Sequence, residues 1–408
     1  MRLLWCRFLF KLLVIMPSIA TSAFHQACLM VMVPLLQEVF HLSLSEIGMV
    51  VGMGLMATAI SVPAWGHLAA SIGSVYAIRV ILCFALLSVS AIALSFVLVN
   101  SSLLLPHYGV VMLVVARLVY SVMAPALLPI AQAIIVQNTQ EPAQVLPSIG
   151  RLNSMSGLGR LAGNAMVAPL LFVSKSAPLI APIPIYAICT FFAFRHSSPA
   201  IAKVKEGCKS DKQTTFAKRP LLVAFSLQMC LSITYVLLGP LLKERLQLDA
   251  LQATGLASYC LTAAVLGGLF AQMGLLPVLR ASKSAIQIAS AIGVAAGLSL
   301  LCIAPTLSTI VASVTVIGAS AALLSATNSV YMFNMLPAAS KTKASTYLSS
   351  IQFTGLATGS LLGGFGGEWG LTHTLTIAAL LAIVLCVGGS RFVISQKPVT
   401  PPLRPSDI

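Results

Sequence analysis

The positive charges of this 408-residue chain occupy alternate gaps between long apolar runs. Of the 24 Lys and Arg residues, 19 fall in segments on one side, three fall in the intervening gaps and two lie inside apolar runs. Loops on the cytoplasmic face of membrane proteins carry such an excess of Lys and Arg. The pattern therefore predicts an integral membrane protein whose two termini are both cytoplasmic.

Composition agrees with a membrane protein and argues against several other classes. The chain is 58% hydrophobic and 8% charged, with a mean hydropathy of +0.98, which exceeds what a soluble protein needs. The net charge of +15 indicates contact with anionic lipid rather than nucleic acid, because the basic residues are not clustered with aromatic residues. Nine cysteines without a CxxC pair indicate neither a disulfide framework nor a zinc site.

The apolar runs predict the number of membrane-spanning helices. A helix needs about 20 residues to cross the hydrocarbon core. Twelve runs of that size occur, near 12–36, 45–65, 77–99, 108–135, 146–172, 178–194, 220–241, 251–275, 284–304, 307–331, 345–366 and 371–394. The first run is too long for a signal peptide and is expected to remain as a helix. The predicted organisation is a six-helix half at 1–194, a cytoplasmic linker at 195–219, a second six-helix half at 220–394 and a cytoplasmic tail at 395–408.

The two predicted halves resemble each other. Pro34–Leu42 reads Pro-Leu-Leu-Gln-Glu-Val-Phe-His-Leu, and Pro240–Leu248 reads Pro-Leu-Leu-Lys-Glu-Arg-Leu-Gln-Leu. Gly157–Arg160 similarly pairs with Gly355–Thr358. A duplicated membrane unit is typical of alternating-access transporters, which bind their substrate between the repeats. The sequence therefore predicts an all-α integral membrane fold with two pseudo-symmetric halves and a substrate site between them.

The segment after the second predicted span carries the most specific family signal. It reads Gly-His-Leu-Ala-Ala-Ser-Ile-Gly-Ser from Gly66 to Ser74 and resembles the G-x-L-x-D-R-x-G-R loop of the major facilitator superfamily, in its bacterial drug:proton antiporter-like branch. Gly66 and Gly73 match and are expected to permit a tight gating loop, whereas the charged positions are Ala70, Ser71 and Ser74. The charged latch of the family is therefore absent, and gating must depend on other contacts.

Two further motifs support the resemblance. Arg117 in the fourth predicted span matches the membrane-embedded arginine of the family, and Gly159–Asn164 resembles its G-x-x-x-G-P antiporter motif with Asn164 in place of Pro. The resemblance implies a secondary active efflux transporter of the bacterial inner membrane, coupled to protons. It also implies a small-molecule substrate, a lipid environment and no obligate protein partner.

Arg117 and Arg160 are charges where the bilayer disfavours them. By residue counting, Arg117 lies roughly 14 Å from the external face and Arg160 roughly 21 Å from the cytoplasmic face. Seen from the cytoplasm, both therefore lie past the membrane midplane. Burying each costs about 2.5–3.5 kcal/mol, and such residues usually face a water-filled cavity. None of the nine acidic residues falls at the membrane centre. An electropositive pocket for a small organic anion or zwitterion is therefore predicted, such as a carboxylate siderophore or anionic drug. The alternative is that either arginine only bonds helix carbonyls.

Other polar residues on the predicted helices are candidates for the same pocket. Arg160 shares one helical face with neighbouring polar residues, and further polar side chains lie on the first, seventh, tenth and eleventh spans. The substrate-binding candidates are His25, Asn153, Asn164, Gln228, Tyr235, Asn328 and Gln352. Helix–helix hydrogen bonding is the alternative for each. His25 is also the candidate for proton coupling, because histidine titrates near neutral pH.

The sequence gives no sign of catalysis. It contains no nucleotide-binding loop, no metal-ligand spacing and no catalytic triad, so we expect neither an enzyme nor a cofactor or metal. Two other functions stay open. One is import of an organic acid through the same fold, and the other is a membrane sensor that binds a ligand without transporting it.

Overall fold

A computed structural model describes residues 11–138, 142–195, 218–275, 283–334 and 341–387. These residues form helices joined by short turns, and no strand occurs among them. Of the predicted linker 195–219 only the ends are described, and the predicted tail 395–408 lies outside the described residues. The expectation of an all-α fold is confirmed.

The described chain contains fifteen α-helices. They are α1 Met16–Val31, α2 Val33–Phe40, α3 Leu44–Ile72, α4 Ser74–Asn100, α5 Pro106–Met123, α6 Leu127–Asn138, α7 Pro142–Leu171, α8 Ala177–Ile180, α9 Pro182–Arg195, α10 Lys218–Arg245, α11 Ala250–Phe270, α12 Lys283–Ile303, α13 Leu307–Asn334, α14 Lys341–Trp369 and α15 Leu371–Leu381. Short π-helical turns precede α1 and follow α11 and α15, and a 3₁₀ turn at Ala124–Ala126 separates α5 from α6.

Nine spans among the described residues are long and apolar enough to cross a membrane, fewer than the twelve predicted. Two of the other predicted runs form α7 and α14, which are 30 and 29 residues long. They fall short in apolarity rather than length, since both carry polar and charged residues along their course. The twelfth predicted run forms the shorter helix α15 and the π-helical turn after it.

The predicted repeat is present in the backbone. His41 and Gln247 both adopt the left-handed conformation, with φ of 55° and 53°. In each half the next helix begins with a capping box, formed by Ser43 with Glu46 and by Asp249 with Gln252. The same turn and the same reciprocal cap therefore occur at equivalent positions of the two halves.

Glycines set the packing of α7 on α1 and of α14 on α10. A Cβ at Gly159 would overlap the carbonyl oxygen of Ala20, and one at Gly355 would overlap that of Phe225. Gly163 and Gly359 repeat these contacts one turn further on. The predicted pairing of Gly157 with Gly355 is therefore wrong by two residues, because a Cβ at Gly157 would meet nothing within 4 Å.

The two halves meet tightly at the end of the bundle where α2 ends and α3 begins, here termed the closed end. The most extensive helix contact in the described chain joins α3 to α14. There, a Cβ at Gly48 would lie 2.8 Å from the Cα of Gly364. The backbone N–H of Ser45 donates to Glu368 Oε1 at 2.9 Å, and Pro34 packs on Gly239.

Toward the opposite end the facing surfaces become accessible. On α10 the residues 236–239, 241 and 242 are buried, whereas Gln228 and Tyr235 are half-buried. On α7, Asn164 is buried, whereas Asn153 and Arg160 are exposed. Polar side chains of both halves are therefore accessible toward the end where α1 starts, and we infer a cleft between the halves that is sealed at the closed end and open at that end.

Candidate functional site

A break in the helix pair α5–α6 is stabilised by α3. Pro125 has no N–H group, so the carbonyl oxygen of Ser121 loses its helical partner. Thr58 donates to that oxygen at 2.9 Å, and the indole Nε1 of Trp65 donates to the carbonyl oxygen of Val122 at 2.8 Å. Unpaired carbonyls are costly in a membrane, so these two side chains fix the bend beside Arg117.

Arg117 lies inside the first half. It is 3% exposed, and its Cζ atom lies 5.8 Å from the ring centroid of Tyr120. Its Nε would be only 3.1 Å from a Cβ at position 54, so Gly54 of α3 makes room for the guanidinium. Its Nη1 has no hydrogen-bond partner in the described structure. Arg117 therefore faces α1 and α3 of its own half.

His25 on α1 is fully buried beside the same aromatic ring. The rings of His25 and Tyr120 meet edge to face with centroids 4.6 Å apart. Neither ring nitrogen of His25 has a partner among the described residues. The Tyr120 hydroxyl lies 3.2 Å from that of Tyr186 and donates to the carbonyl oxygen of Ser22 at 3.0 Å. Three helices thus share a buried polar cluster that holds His25 next to Arg117.

Arg160 has a different environment. It is exposed on α7, between Gly159, which contacts α1, and Asn164, which contacts α11. Tyr235 of the second half lies within range of the charge of Arg160. No hydrogen bond or ion pair to its guanidinium occurs within the described ranges. The described acidic side chains all lie at or near the closed end and are Glu38, Glu46, Glu244, Asp249 and Glu368.

Two of the predicted site residues, Asn164 and Asn328, already have hydrogen bonds between helices. Asn164 donates to the carbonyl oxygen of Leu261 at 3.4 Å, and its own carbonyl oxygen accepts from the hydroxyl of Ser258. Asn328 donates to the carbonyl oxygen of Pro220 at 2.9 Å. These contacts join helices and leave both amides buried.

The other predicted polar residues are more exposed than Asn164 and Asn328. Asn153 is exposed and accepts from Gln132 at 3.2 Å. Gln228 and Gln352 are half-buried, and neither has a hydrogen bond within the described ranges. With Tyr235 and Arg160, they are exposed or half-buried amide, phenol and guanidinium groups on helices of both halves.

The predicted gating loop is mostly helical. α3 continues to Ile72, so Gly66 lies within a helix. Only Gly73 separates α3 from α4, with a φ of 92°, a conformation that glycine adopts without strain. The segment therefore forms a sharp corner at Gly73 instead of a loop that begins at Gly66.

Sequence reasoning missed the contacts that seal the closed end. These are the approach of Gly48 to Gly364 and the bond from Ser45 to Glu368. An ion pair of 3.0 Å between Lys175 and Glu38 lies near the same end, within the first half. The four-residue spacing of Gly48 with Gly52 and of Ser360 with Gly364 is the available signal, because small residues at that spacing let helices approach closely.

Comparison with known proteins identifies the fold. The sequence model described as Major Facilitator Superfamily matches residues 15–286. None of the curated protein sequences matches the chain. Among solved structures, the nucleoside transporter NupG superposes with a TM-score of 0.72 at 14% identity, covering 95% of this chain and 100% of that one.

Two further solved structures have the same fold. A bacterial homolog of the human lysosomal transporter Spinster, in an inward-facing and unoccupied conformation, gives a TM-score of 0.71 at 12% identity, covering 97% of this chain and 99% of that one. The human organic anion transporter MFSD10 (TETRAN) gives 0.67 at 13% identity, covering 94% and 99%. At these identities the likeness concerns the fold alone.

Proposed function

Because this chain belongs to the Major Facilitator Superfamily, we propose that it is a secondary active transporter that exports a small organic anion or zwitterion by alternating access. The observation that carries the proposal is Arg160, an exposed guanidinium at the cleft without a described acidic partner. A transporter for lipophilic cations would need Asp or Glu in that position. An anionic group can instead form charge-assisted, bidentate hydrogen bonds with arginine.

The surroundings of Arg160 suit a substrate that has polar groups beyond its anionic one. Tyr235 lies within electrostatic range on the other half, so a molecule bound to both would bridge the two halves. Gln228 and Gln352 add amide groups that can both donate and accept hydrogen bonds. Because the halves move relative to each other, a substrate that bridges them would bind the two conformations with different affinity, which a ligand-driven conformational change requires.

The charge distribution supports an orientation in the bacterial inner membrane. The described basic residues Arg79, Arg151, Arg195 and Arg219 lie toward the open end, and the positive-inside rule favours a cytoplasmic position for such residues. The described conformation would then be accessible from the cytoplasm, where an exported metabolite is loaded. An inside-negative potential pushes anions outward by about 2.3 kcal/mol per charge per 100 mV, which favours export over import of a net anion.

His25 is the proposed proton-coupling residue. It lies on α1, and neither of its nitrogens has a partner in the described structure. Histidine is the side chain whose charge changes most readily near neutral pH. Protonation of His25 beside the buried charge of Arg117 would be unfavourable unless the surrounding helices rearranged, which would link the proton to the conformation.

The substrate class is tested by thermal stabilisation of the purified protein with polycarboxylates, citrate-type chelators, aromatic anions and lipophilic cations. We expect stabilisation by an anion and its loss in Arg160→Ala. Losing one charge-assisted hydrogen bond costs about 1.5–3 kcal/mol, or about tenfold to 150-fold in affinity. Arg151→Ala is the matched control, since Arg151 is exposed on the same helix but nine residues away, on the opposite face.

The outcomes separate the candidate functions. Stabilisation by cations, unchanged in Arg160→Ala, would contradict the anion proposal. If an anion binds, its movement in right-side-out and inverted vesicles distinguishes export from import. Binding without any movement in either preparation would indicate a sensor instead of a transporter.

A further inference from the structure

Arg117 carries a buried charge that no described group neutralises. It is 3% exposed, and its Nη1 lacks a hydrogen-bond partner in the described chain. The ring of Tyr120 offers a cation–π contact, which provides no formal negative charge. The described acidic residues lie at or near the closed end and not beside the guanidinium. An uncompensated buried charge is strongly unfavourable, so a counter-ion at this position would be stabilising.

A cavity adjoins the guanidinium of Arg117. It has a volume of about 20 Å³ and six apolar lining residues on α1, α2, α3 and α5. These residues are Leu29, Leu36, Ile47, Val50, Val51 and Leu113. A space of this size is slightly larger than one water molecule needs. An organic substrate does not fit, whereas a monatomic anion does.

We propose that Arg117 binds one small inorganic anion of the size of chloride in this cavity. The anion would accept a hydrogen bond from the unpartnered Nη1 and neutralise the charge where the protein supplies no carboxylate. The apolar lining favours a weakly hydrated anion such as chloride or bromide over fluoride, which loses more hydration energy on entry. This site is separate from Arg160 and independent of the identity of the transported substrate.

The position of the cavity links it to the closed end. Ile47, Val50 and Val51 line it from α3, while Gly48 and Gly52 on the same helix contact α14. One helix therefore has the anion site on one side and the junction of the halves on the other. A bound anion would hold α3 in the position that seals the closed end.

The test compares the melting temperature of the purified protein in sodium chloride and in sodium gluconate at equal ionic strength. We expect a saturable rise with chloride and with bromide, and little effect of fluoride, because a ligand bound only to the folded state raises Tm. The rise should disappear in Arg117→Gln and persist in Arg160→Ala. Val51→Leu, which fills the cavity and keeps the arginine, should also remove it.

A crystal grown in bromide gives a readout that needs no variant. An anomalous peak beside Nη1 of Arg117 would support the proposal. Equal Tm in chloride and gluconate would contradict it, as would a chloride effect that survives in both Arg117→Gln and Val51→Leu. Water in the cavity with bromide bound elsewhere would also overturn it. None of these readouts measures transport, so failure here leaves the organic-anion proposal intact.

Discussion

The junction between α3 and α14 yields a quantitative prediction for Gly48→Ala. The added Cβ would lie 2.7 Å from the carbonyl oxygen of Ser360 and 2.8 Å from the Cα of Gly364. Both are backbone atoms, so a rotamer change cannot relieve the clash and the helices must separate. Overpacking of this kind costs about 1–3 kcal/mol.

The cost falls only on the conformation in which α3 and α14 touch. A penalty of about 1–3 kcal/mol shifts the ratio of sealed to unsealed molecules by about fivefold to 150-fold. Gly157→Ala is the control, since a Cβ there meets nothing within 4 Å and alanine favours the helix by about 0.5–1 kcal/mol. We expect Gly48→Ala, and not Gly157→Ala, to open the closed end.

Double electron–electron resonance can measure this separation. Leu103 and Trp369 lie at the closed end in different halves and are 76% and 87% exposed, so spin labels there, in a background without native cysteines, should not disturb the packing. We expect a population with longer label-to-label distances in Gly48→Ala. A distance distribution identical to that of the unsubstituted protein would refute the reasoning that the glycine contact seals this end.

Three further predictions concern single contacts. The hydroxyl and the backbone N–H of Ser45 lower the pKa of Glu368, so the sealed state is favoured above that pKa and loses this contribution as pH falls through it. The same resonance experiment should show opening at acidic pH, and none of this pH dependence in Glu368→Gln. Trp65→Phe removes the hydrogen bond to the carbonyl oxygen of Val122 and should destabilise the fold by about 0.5–1.5 kcal/mol; an unchanged Tm would contradict this. Arg245 donates to three carbonyl oxygens around the end of α12. We expect Arg245→Met to lower Tm, and a Tm equal to that of the unsubstituted protein would contradict a stabilising role for these bonds.

The helical membrane fold and its repeat were predictable because they depend on the length and spacing of apolar runs. The turn at His41 and the one at Gln247 follow from matching sequence strings, and the structure repeats them. The alignment of α7 with its equivalent in the second half, α14, was wrong by two residues. Gly157 and Gly159 are both available in the sequence, and only the contact with Ala20 distinguishes them.

The environments of the two arginines were not predictable from depth alone. Counting residues along a straight helix gives a position across the bilayer but not a direction. Arg117 turns toward Gly54 and Tyr120 inside the first half, whereas Arg160 is exposed and near Tyr235. Which side chain meets which is set by helix rotation, and that depends on distant contacts such as those of Gly159 and Asn164.

The most direct test of the central claim is counterflow in proteoliposomes with the anion that best stabilises the protein, using radiolabelled substrate. We predict exchange by the unsubstituted protein and by Arg151→Ala, and a loss of exchange in Arg160→Ala at substrate concentrations near the Kd. Exchange by Arg160→Ala at the unsubstituted rate across that concentration range would contradict an organic-anion site at Arg160.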